Sequence, residues 1–86
     1  MTTQAIIETR KDVFARLRTM LVEEFGADPA TVTLESSFRG TLDLDSLETA
    51  QLILELEDLF KIEIPDDDAE KLFTVGDAVR YAETHL

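Results

Sequence analysis

Apolar residues recur every three or four positions near the start of the chain, which indicates an amphipathic helix over residues 5–25. Its apolar positions are Ile6, Val13, Phe14, Leu17, Met20, Leu21 and Phe25. Gly26 predicts the end of this helix, because glycine readily adopts the left-handed conformation that closes a helix. Asp28-Pro29 indicates a turn shortly afterwards.

The longest predicted connection covers residues 26–44, and a connection of that length in a compact protein is often functional. Within it, residues 34–38 are predicted to make one short helical turn. A second amphipathic helix is predicted from about residue 46 to residue 60. Asp45 is a suitable N-cap for it, and Glu48 three residues further completes a capping-box pattern.

The last third of the chain predicts two more helices. Residues 62–65 are expected to be extended, because a residue before proline avoids helical backbone angles. Residues 66–72 then predict a short helix whose acidic first turn suits the helix dipole. Thr74 is expected to cap a last helix, with Asp77 at its third position. The apolar side of that helix holds Val75, Ala78, Val79, Ala82 and Leu86.

These elements add up to an all-α fold, a small four-helix bundle of three main helices plus a short third helix. No strand is predicted. A chain of 86 residues has room for one core. We therefore expect a single domain over residues 1–86.

The second predicted helix carries three stripes when successive residues are placed about 100° apart. The core stripe holds Leu52, Ile53, Leu56, Leu59 and Phe60. The acidic stripe holds Glu48, Gln51, Glu55 and Asp58. The apolar strip holds Leu47, Ala50 and Leu54. A helix with one core face does not need this second apolar strip. The strip therefore either packs under a neighbouring segment or forms, with the acidic stripe, a partner-docking surface.

The charge of the chain is strongly negative and unevenly placed. The net charge is −11, from 8 basic and 19 acidic residues. Residues 41–70 hold eleven of the acids and one base, Lys61. Such a surface repels nucleic acid and anionic membranes, whereas it attracts basic protein surfaces in a salt-sensitive way. We therefore expect protein partners with basic docking surfaces, and neither a nucleic acid nor a membrane partner.

The composition excludes several kinds of site. The chain has no cysteine, so disulfides and thiolate metal centres are excluded. No run of about 18 apolar residues indicates a transmembrane helix. The first residues do not resemble a signal peptide, so we expect a cytoplasmic location.

Ser46 is the candidate reactive residue, because it lies at the predicted start of the second helix. A helix N-terminus offers unpaired N–H groups and partial positive charge, which suit a phosphate ester. A hydrolytic triad is disfavoured, since the single histidine is His85 and no G-x-S-x-G motif is present. Ser46 could also be an ordinary helix-start serine.

The segment from Asp45 to Glu57, D-S-L-E-T-A-Q-L-I-L-E-L-E, resembles the central helix of acyl carrier proteins. Similar segments follow in the same order as in that family: F-K-I-E-I-P at 60–65, D-D-D-A-E-K-L at 66–72 and T-V-G-D-A-V at 74–79. Val32-Thr33 through Ser37-Phe38 resembles the loop before the helix. The resemblance covers nearly the whole chain, from about residue 5 to the end.

The resemblance implies a non-catalytic carrier. In that family a phosphopantetheinyl transferase attaches 4′-phosphopantetheine from coenzyme A to the serine of the D-S-L motif, here Ser46 between Asp45 and Leu47. The group supplies the thiol that this chain lacks and holds acyl intermediates as thioesters. The expected partners are that transferase and the acyl ligases, synthases and acyltransferases of fatty acid, polyketide or related lipid biosynthesis. A monomer is expected.

The apolar strip and the acidic stripe of the second helix together give the predicted docking surface for those partners. The docking residues would be Leu47, Glu48, Ala50, Gln51, Leu54, Glu55 and Asp58.

The segment before Ser46 departs from the family pattern. Fatty-acid-synthesis members usually read E-D-L-G-x-D-S-L, whereas this chain reads G-T-L-D-L-D-S-L over residues 40–47. Gln51 stands where those members commonly carry glutamate, and Glu55 where they often carry a small residue. The attachment serine is retained, so these departures bear on partner choice.

The acidic composition also suggests two other classes of protein. One is an acidic adaptor or inhibitor that binds a basic protein surface without a prosthetic group. The other is a calcium sensor, suggested by the acidic runs. From Asp43, however, the sixth and twelfth positions of an EF-hand loop would be Glu48 and Leu54 instead of glycine and glutamate. No metal site is therefore predicted.

Overall fold

A computed structural model describes the backbone of residues 2–85 and the side chains of residues 13–85. Over residues 2–85 the chain forms four α-helices and a short 3₁₀-helix after the first. They are α1 (Thr2–Phe25), the 3₁₀-helix (Pro29–Thr31), α2 (Ser46–Phe60), α3 (Asp66–Ala69) and α4 (Val75–His85). The predicted all-α fold with a short third helix is confirmed. The same residues contain no strand, only an isolated antiparallel bridge between Ser37 and Thr74.

Helix α1 buries the side that its periodicity predicts. The buried positions are Val13, Leu17, Met20 and Leu21, with Phe14 and Phe25 half-buried. The predicted core position Ile6 lies outside the described side chains. Gly26 has φ +70° and donates its N–H to the Val22 carbonyl at 3.2 Å. The predicted helix end at Gly26 is therefore confirmed.

The prediction of a helical turn at residues 34–38 is wrong. The turn lies earlier, at Pro29–Thr31, where the Asp28 carboxylate accepts the Ala30 N–H at 2.9 Å. Residues 34–38 instead lie beside the start of α4. The Phe38 N–H donates to the Phe73 carbonyl at 2.9 Å. The Val75 N–H likewise donates to the Ser36 carbonyl at 2.9 Å, so the segment is bonded to a distant part of the chain, and a local backbone bond runs from the Ser36 N–H to the Thr33 carbonyl.

Gly76 allows the close approach of this loop to α4. Its N–H donates to the Leu34 carbonyl at 2.8 Å. A Cβ atom at position 76 would lie 2.9 Å from the same carbonyl oxygen. Glycine therefore lets the backbone of α4 touch the loop.

Helix α2 confirms the predicted core stripe. Leu52, Leu56 and Phe60 are buried, and Ile53 and Leu59 are half-buried. Burial of such side chains contributes about 1.5–3 kcal/mol each.

Arg16 of α1 binds the last turn of α2. Its guanidinium donates to the Leu59 carbonyl at 2.9 Å and lies 5.2 Å from the Phe60 ring centre. Arg16 therefore links α1 to the C-terminal end of α2.

The last two helices follow the prediction with one correction. Regular helix α3 ends at Ala69, whereas the prediction extended it to Leu72; residues 70 and 71 form a turn. Helix α4 has the expected reciprocal cap, because Thr74 Oγ1 accepts the Asp77 N–H at 3.0 Å and Asp77 Oδ2 accepts the Thr74 N–H at 3.1 Å. Val75, Ala78, Val79 and Ala82 are buried as predicted, and Leu86 lies outside the described residues.

None of the helices in the described part of the chain has the length and apolar character needed to cross a membrane.

Candidate functional site

Ser46 is the first residue of α2, and its side chain is exposed. No hydrogen bond within the described residues 13–85 involves its hydroxyl. A hydroxyl that is accessible and not already bonded is available to an incoming reagent. The structure therefore places Ser46 where an enzyme can reach it.

The hydroxyls of the other two serines are hydrogen-bonded within the loop before α2. Ser36 is buried, and its hydroxyl donates to the Thr31 carbonyl at 2.6 Å. Ser37 Oγ accepts the N–H groups of Gly40 and Thr41, each at 3.0 Å. Ser46 therefore differs from both in exposure and in hydrogen bonding.

A reciprocal cap fixes the backbone around Ser46. Asp45 Oδ1 accepts the Glu48 N–H at 2.7 Å, and Glu48 Oε1 accepts the Asp45 N–H at 3.1 Å. The predicted capping box is confirmed. Thr49 adds a bond from its hydroxyl to the Asp45 carbonyl at 2.8 Å. The first turn of α2 is thus held in one geometry.

The segment before Ser46 is a bonded turn, and its unusual residues take part in it. The Ser37 N–H donates to Thr41 Oγ1 at 3.1 Å. A Cβ at position 40 would lie 2.5 Å from Ser37 Oγ, so Gly40 suits this turn. Asp43 has φ +56°, a left-handed conformation that glycine adopts at least cost. Asp43 therefore occupies the position where the resembled pattern has glycine, and aspartate tolerates that conformation better than most residues.

The apolar strip is exposed. Leu47 has 78% of its surface exposed and Leu54 has 66%, and Ala50 is also exposed. The alternative that this strip packs under a neighbouring segment is therefore wrong. In the acidic stripe, Gln51 and Asp58 are exposed, whereas Glu48 and Glu55 are partly buried.

Two grooves flank α2. The first lies between α1 and α2 and is lined in part by Glu55, Asp58 and Leu59. The second lies between α2 and α3 and is lined in part by Ala50, Leu54, Ile53, Ile64 and Ala69. The acidic stripe borders the first groove and the apolar strip borders the second. The exposed side of α2 lies between the two grooves and is called the crest of α2. It carries Leu47, Ala50, Gln51, Leu54 and Asp58.

Sequence reasoning missed the role of Glu57 in the second groove. Its carboxylate accepts the Ile64 N–H at 2.9 Å and so holds the segment between α2 and α3 against α2. The partners are seven residues apart and belong to different elements, and no periodic pattern signals such a bond.

Sequence reasoning also missed the link between Tyr81 of α4 and Asp68 of α3. The Tyr81 hydroxyl donates to Asp68 Oδ2 at 2.7 Å and lies 3.3 Å from the Glu63 carbonyl. The bond to Asp68, together with desolvation and nearby negative charge, raises the pKa of Tyr81 to about 12. His85 stacks on the Tyr81 ring with 4.0 Å between ring centres.

Two further observations concern charge. Burial opposes ionisation of Asp77, but N–H bonds from Phe73 and Thr74 and the nearby Arg80 guanidinium lower its pKa below the ordinary value. Among side chains 13–85, no group of three or more His, Cys, Asp or Glu residues is arranged to hold a metal ion.

Comparison with known proteins defines the class. Residues 15–82 match the protein family described as "Phosphopantetheine attachment site". The chain is also 44% identical over 77 residues to the acyl carrier protein of Lactobacillus johnsonii, an alignment that covers 90% of this chain and 96% of that protein. The chain belongs to the acyl carrier protein family.

Membership of the family settles several predictions. The domain carries 4′-phosphopantetheine covalently, and it is a carrier that catalyses no reaction itself. Proteins of this family interact with synthases and transferases. The alternative of an adaptor without a prosthetic group is thereby set aside.

Proposed function

We propose that Ser46 is the residue that bears 4′-phosphopantetheine, and that the chain carries acyl groups as thioesters on it in fatty acid biosynthesis or a related pathway. The proposal rests on how the three serines differ in exposure and hydrogen bonding. Ser36 and Ser37 are bonded within the loop, whereas the Ser46 hydroxyl is exposed and has no hydrogen bond within residues 13–85. Ser46 is also the serine that begins a long helix.

The chemistry of attachment suits this position. The Ser46 oxygen would form a new phosphodiester bond as the pyrophosphate bond of coenzyme A breaks, with adenosine 3′,5′-bisphosphate as the leaving group and a base of the transferase accepting the hydroxyl proton. The attached group supplies a thiol, which a chain without cysteine cannot provide. Asp45 and Leu47 flank the acceptor, and the Asp45 cap presents it at the helix start.

The electrostatics of α2 favour an ester at residue 46 over one further along the helix. The N-terminal turn offers N–H groups and about half a positive charge, which offset added negative charge. The carboxylates of Asp45 and Glu48 already bind some of these N–H groups and offset part of this positive charge. Because the Ser46 side chain is exposed, water would screen the remaining repulsion between a phosphodiester there and the neighbouring carboxylates.

We further propose that client enzymes dock on the crest of α2. The exposed apolar strip would form the centre of the contact, and the acidic stripe its charged rim. The residues involved are Leu47, Glu48, Ala50, Gln51, Leu54, Glu55 and Asp58. The clients are the phosphopantetheinyl transferase and then acyl ligases, synthases and acyltransferases with basic docking surfaces. Rim charges of this kind mainly set encounter rate and discrimination.

The α2–α3 groove supports an acyl-carrying role. It has a volume of about 550 Å³ and apolar lining residues, among them Ile53, Leu54 and Ile64. Because it borders the apolar strip, an acyl chain tethered near the start of α2 would find apolar surface within the same molecule.

The test is modification in vitro with a phosphopantetheinyl transferase and coenzyme A, followed by intact mass measurement. We expect the wild-type chain to gain one phosphopantetheinyl group and Ser46→Ala to gain none. Ser37→Ala is the control, since it removes a different hydroxyl and should still gain one group. Modification of Ser46→Ala would contradict the assignment. The single domain over residues 1–86, the monomeric state and the cytoplasmic location remain predictions.

A further inference from the structure

The groove between α1 and α2 combines an apolar lining with a dense set of carboxylates. Its volume is about 390 Å³. Ala15 and Met20 of α1 and Leu59 of α2 supply the apolar lining. Arg16 links the two helices beside the groove, because its guanidinium donates to the Leu59 carbonyl at 2.9 Å. The groove therefore lies where α1 and α2 contact each other.

Four carboxylates line the same groove, two from each helix: Glu23, Glu24, Glu55 and Asp58. Within residues 13–85, no ion pair joins the first three to a base, and Asp58 has a 3.5 Å contact with Lys61. Both side chains of that pair are more than 80% exposed, so water weakens it. Arg16 is the one cation in the described lining, and its guanidinium already donates a hydrogen bond to the Leu59 carbonyl of α2.

This combination selects a particular kind of occupant. An apolar lining favours an occupant that buries apolar surface, and the carboxylates require it to be cationic. Lysine and arginine meet both demands, since their aliphatic stems cover apolar surface while their charged ends meet carboxylates. The complementary partner is therefore a basic amphipathic segment of another protein.

The groove lies within reach of a protein that covers Ser46. Glu55 and Asp58 follow Ser46 by nine and twelve residues, which corresponds to about 14 and 18 Å along the helix axis. A standard interface covers about 800 Å² on each partner, so it extends over such distances. An enzyme that contacts Ser46 and follows the crest of α2 meets the α1–α2 groove at the other end.

We infer that a basic amphipathic segment of the phosphopantetheinyl transferase seats in the α1–α2 groove, so that α1 takes part in recognition together with α2. This inference rests on the proposed attachment at Ser46. It assigns a binding role to Glu23 and Glu24, two exposed residues of a helix for which the sequence pattern predicts only a core role.

The test compares kcat and KM for modification by a phosphopantetheinyl transferase that acts on the wild-type chain. Glu24→Lys reverses one charge in the groove, and Thr19→Trp fills the groove without changing charge. Each is expected to raise KM about three- to tenfold with kcat within about twofold, because a docking contact away from the reacting atoms is lost. Glu35→Lys and Thr84→Trp are the matched controls, exposed positions outside the groove, and should leave KM within about twofold of wild type.

Circular dichroism of all four variants establishes that they fold. If Glu24→Lys and Thr19→Trp show the KM of their controls while Ser46 is still modified, the groove does not bind the transferase and the inference is overturned. If no transferase modifies Ser46 in the wild-type chain, the proposed function fails and the inference fails with it. The two failures are thus distinguished by the wild-type measurement.

Discussion

Asp45 and Glu48 bind each other's backbone across the first turn of α2, through bonds of 2.7 and 3.1 Å. Ser46 lies inside the loop that these two bonds close. The N-terminal turn therefore has a fixed geometry before any enzyme approaches. The arrangement links the stability of α2 to the presentation of the Ser46 hydroxyl.

The first prediction separates capping from charge at Asp45. Asp45→Ala removes the acceptor for the Glu48 N–H and should lower the free energy of unfolding by about 1 kcal/mol. Asp45→Asn keeps an acceptor and should lose less than about half of that amount, since asparagine caps nearly as well as aspartate. Urea unfolding followed by circular dichroism measures both. Equal losses in the two variants would show that the charge, and not the hydrogen bond, stabilises the turn.

The second prediction concerns the acidic stripe. Glu55→Lys should reduce kcat/KM for modification at low salt about three- to tenfold, because reversal of a rim charge slows encounter with a basic partner. Glu55 makes no hydrogen bond within the described side chains, so the fold should be unaffected. The reduction should shrink at high salt, which screens rim charges. An unchanged rate at low salt would leave the stripe with no role beyond solubility.

A related variant needs more care. Glu48→Lys would break the capping box as well as reverse a charge. Glu48→Gln removes the charge while its amide oxygen can still accept the Asp45 N–H. It is therefore the cleaner variant for a docking test at this position.

The third prediction concerns Tyr81, the one tyrosine of the chain. The hydrogen bond to Asp68 raises its pKa to about 12. Asp68→Asn should move the tyrosine pKa back toward 10.0, the ordinary value. Ultraviolet absorbance of the tyrosinate measures the pKa directly, because no other tyrosine contributes. A pKa that is unchanged in Asp68→Asn would contradict the α3–α4 bond.

The same bond has a consequence for stability at high pH. The folded pKa of Tyr81 is raised, so the stabilisation is complete below pH 10.0 and is lost as the pH rises through about 12. Tyr81→Phe should remove this loss, which unfolding curves at increasing pH would show.

The fourth prediction concerns Asp77 and acid. Its pKa is lowered below 3.8 against the effect of burial, through bonds from the Phe73 and Thr74 N–H groups and the charge of Arg80. A lowered folded pKa gives stability that is present above 3.8 and is lost as the pH falls through the folded pKa. Asp77→Ala removes the acceptor for the Phe73 and Thr74 N–H groups and should cost about 1 kcal/mol at neutral pH, the usual net contribution of such a hydrogen bond. It should also weaken the acid dependence. An acid transition identical to wild type would contradict this account.

The parts of the fold that could be predicted from the sequence depend on neighbours along the chain. Each helix cap joins residues only three positions apart, Asp45 with Glu48 and Thr74 with Asp77. Such caps can therefore be predicted from a local sequence pattern. Gly26 ends α1 for an equally local reason. The buried faces of α1, α2 and α4 follow from periodicity, because each helix has one side toward the core.

The parts that could not be predicted depend on how distant segments meet. Residues 34–38 pair with the start of α4, and that pairing overrides the short helical turn expected there. Arg16 reaches a carbonyl 43 residues away, and Tyr81 reaches Asp68 across 13 residues. The candidate site divides in the same way. Ser46 and the stripes of α2 could be predicted from the sequence. The two grooves could not, because they depend on where α1 and α3 pack against α2.

The most direct test of the central claim is peptide mapping by mass spectrometry of the protein isolated from its native cell. The account predicts that the peptide containing Ser46 carries a phosphopantetheinyl group, and that the peptide containing Ser36 and Ser37 carries none. A Ser46 peptide that is always unmodified, or a phosphopantetheinyl group found on another residue, would contradict it.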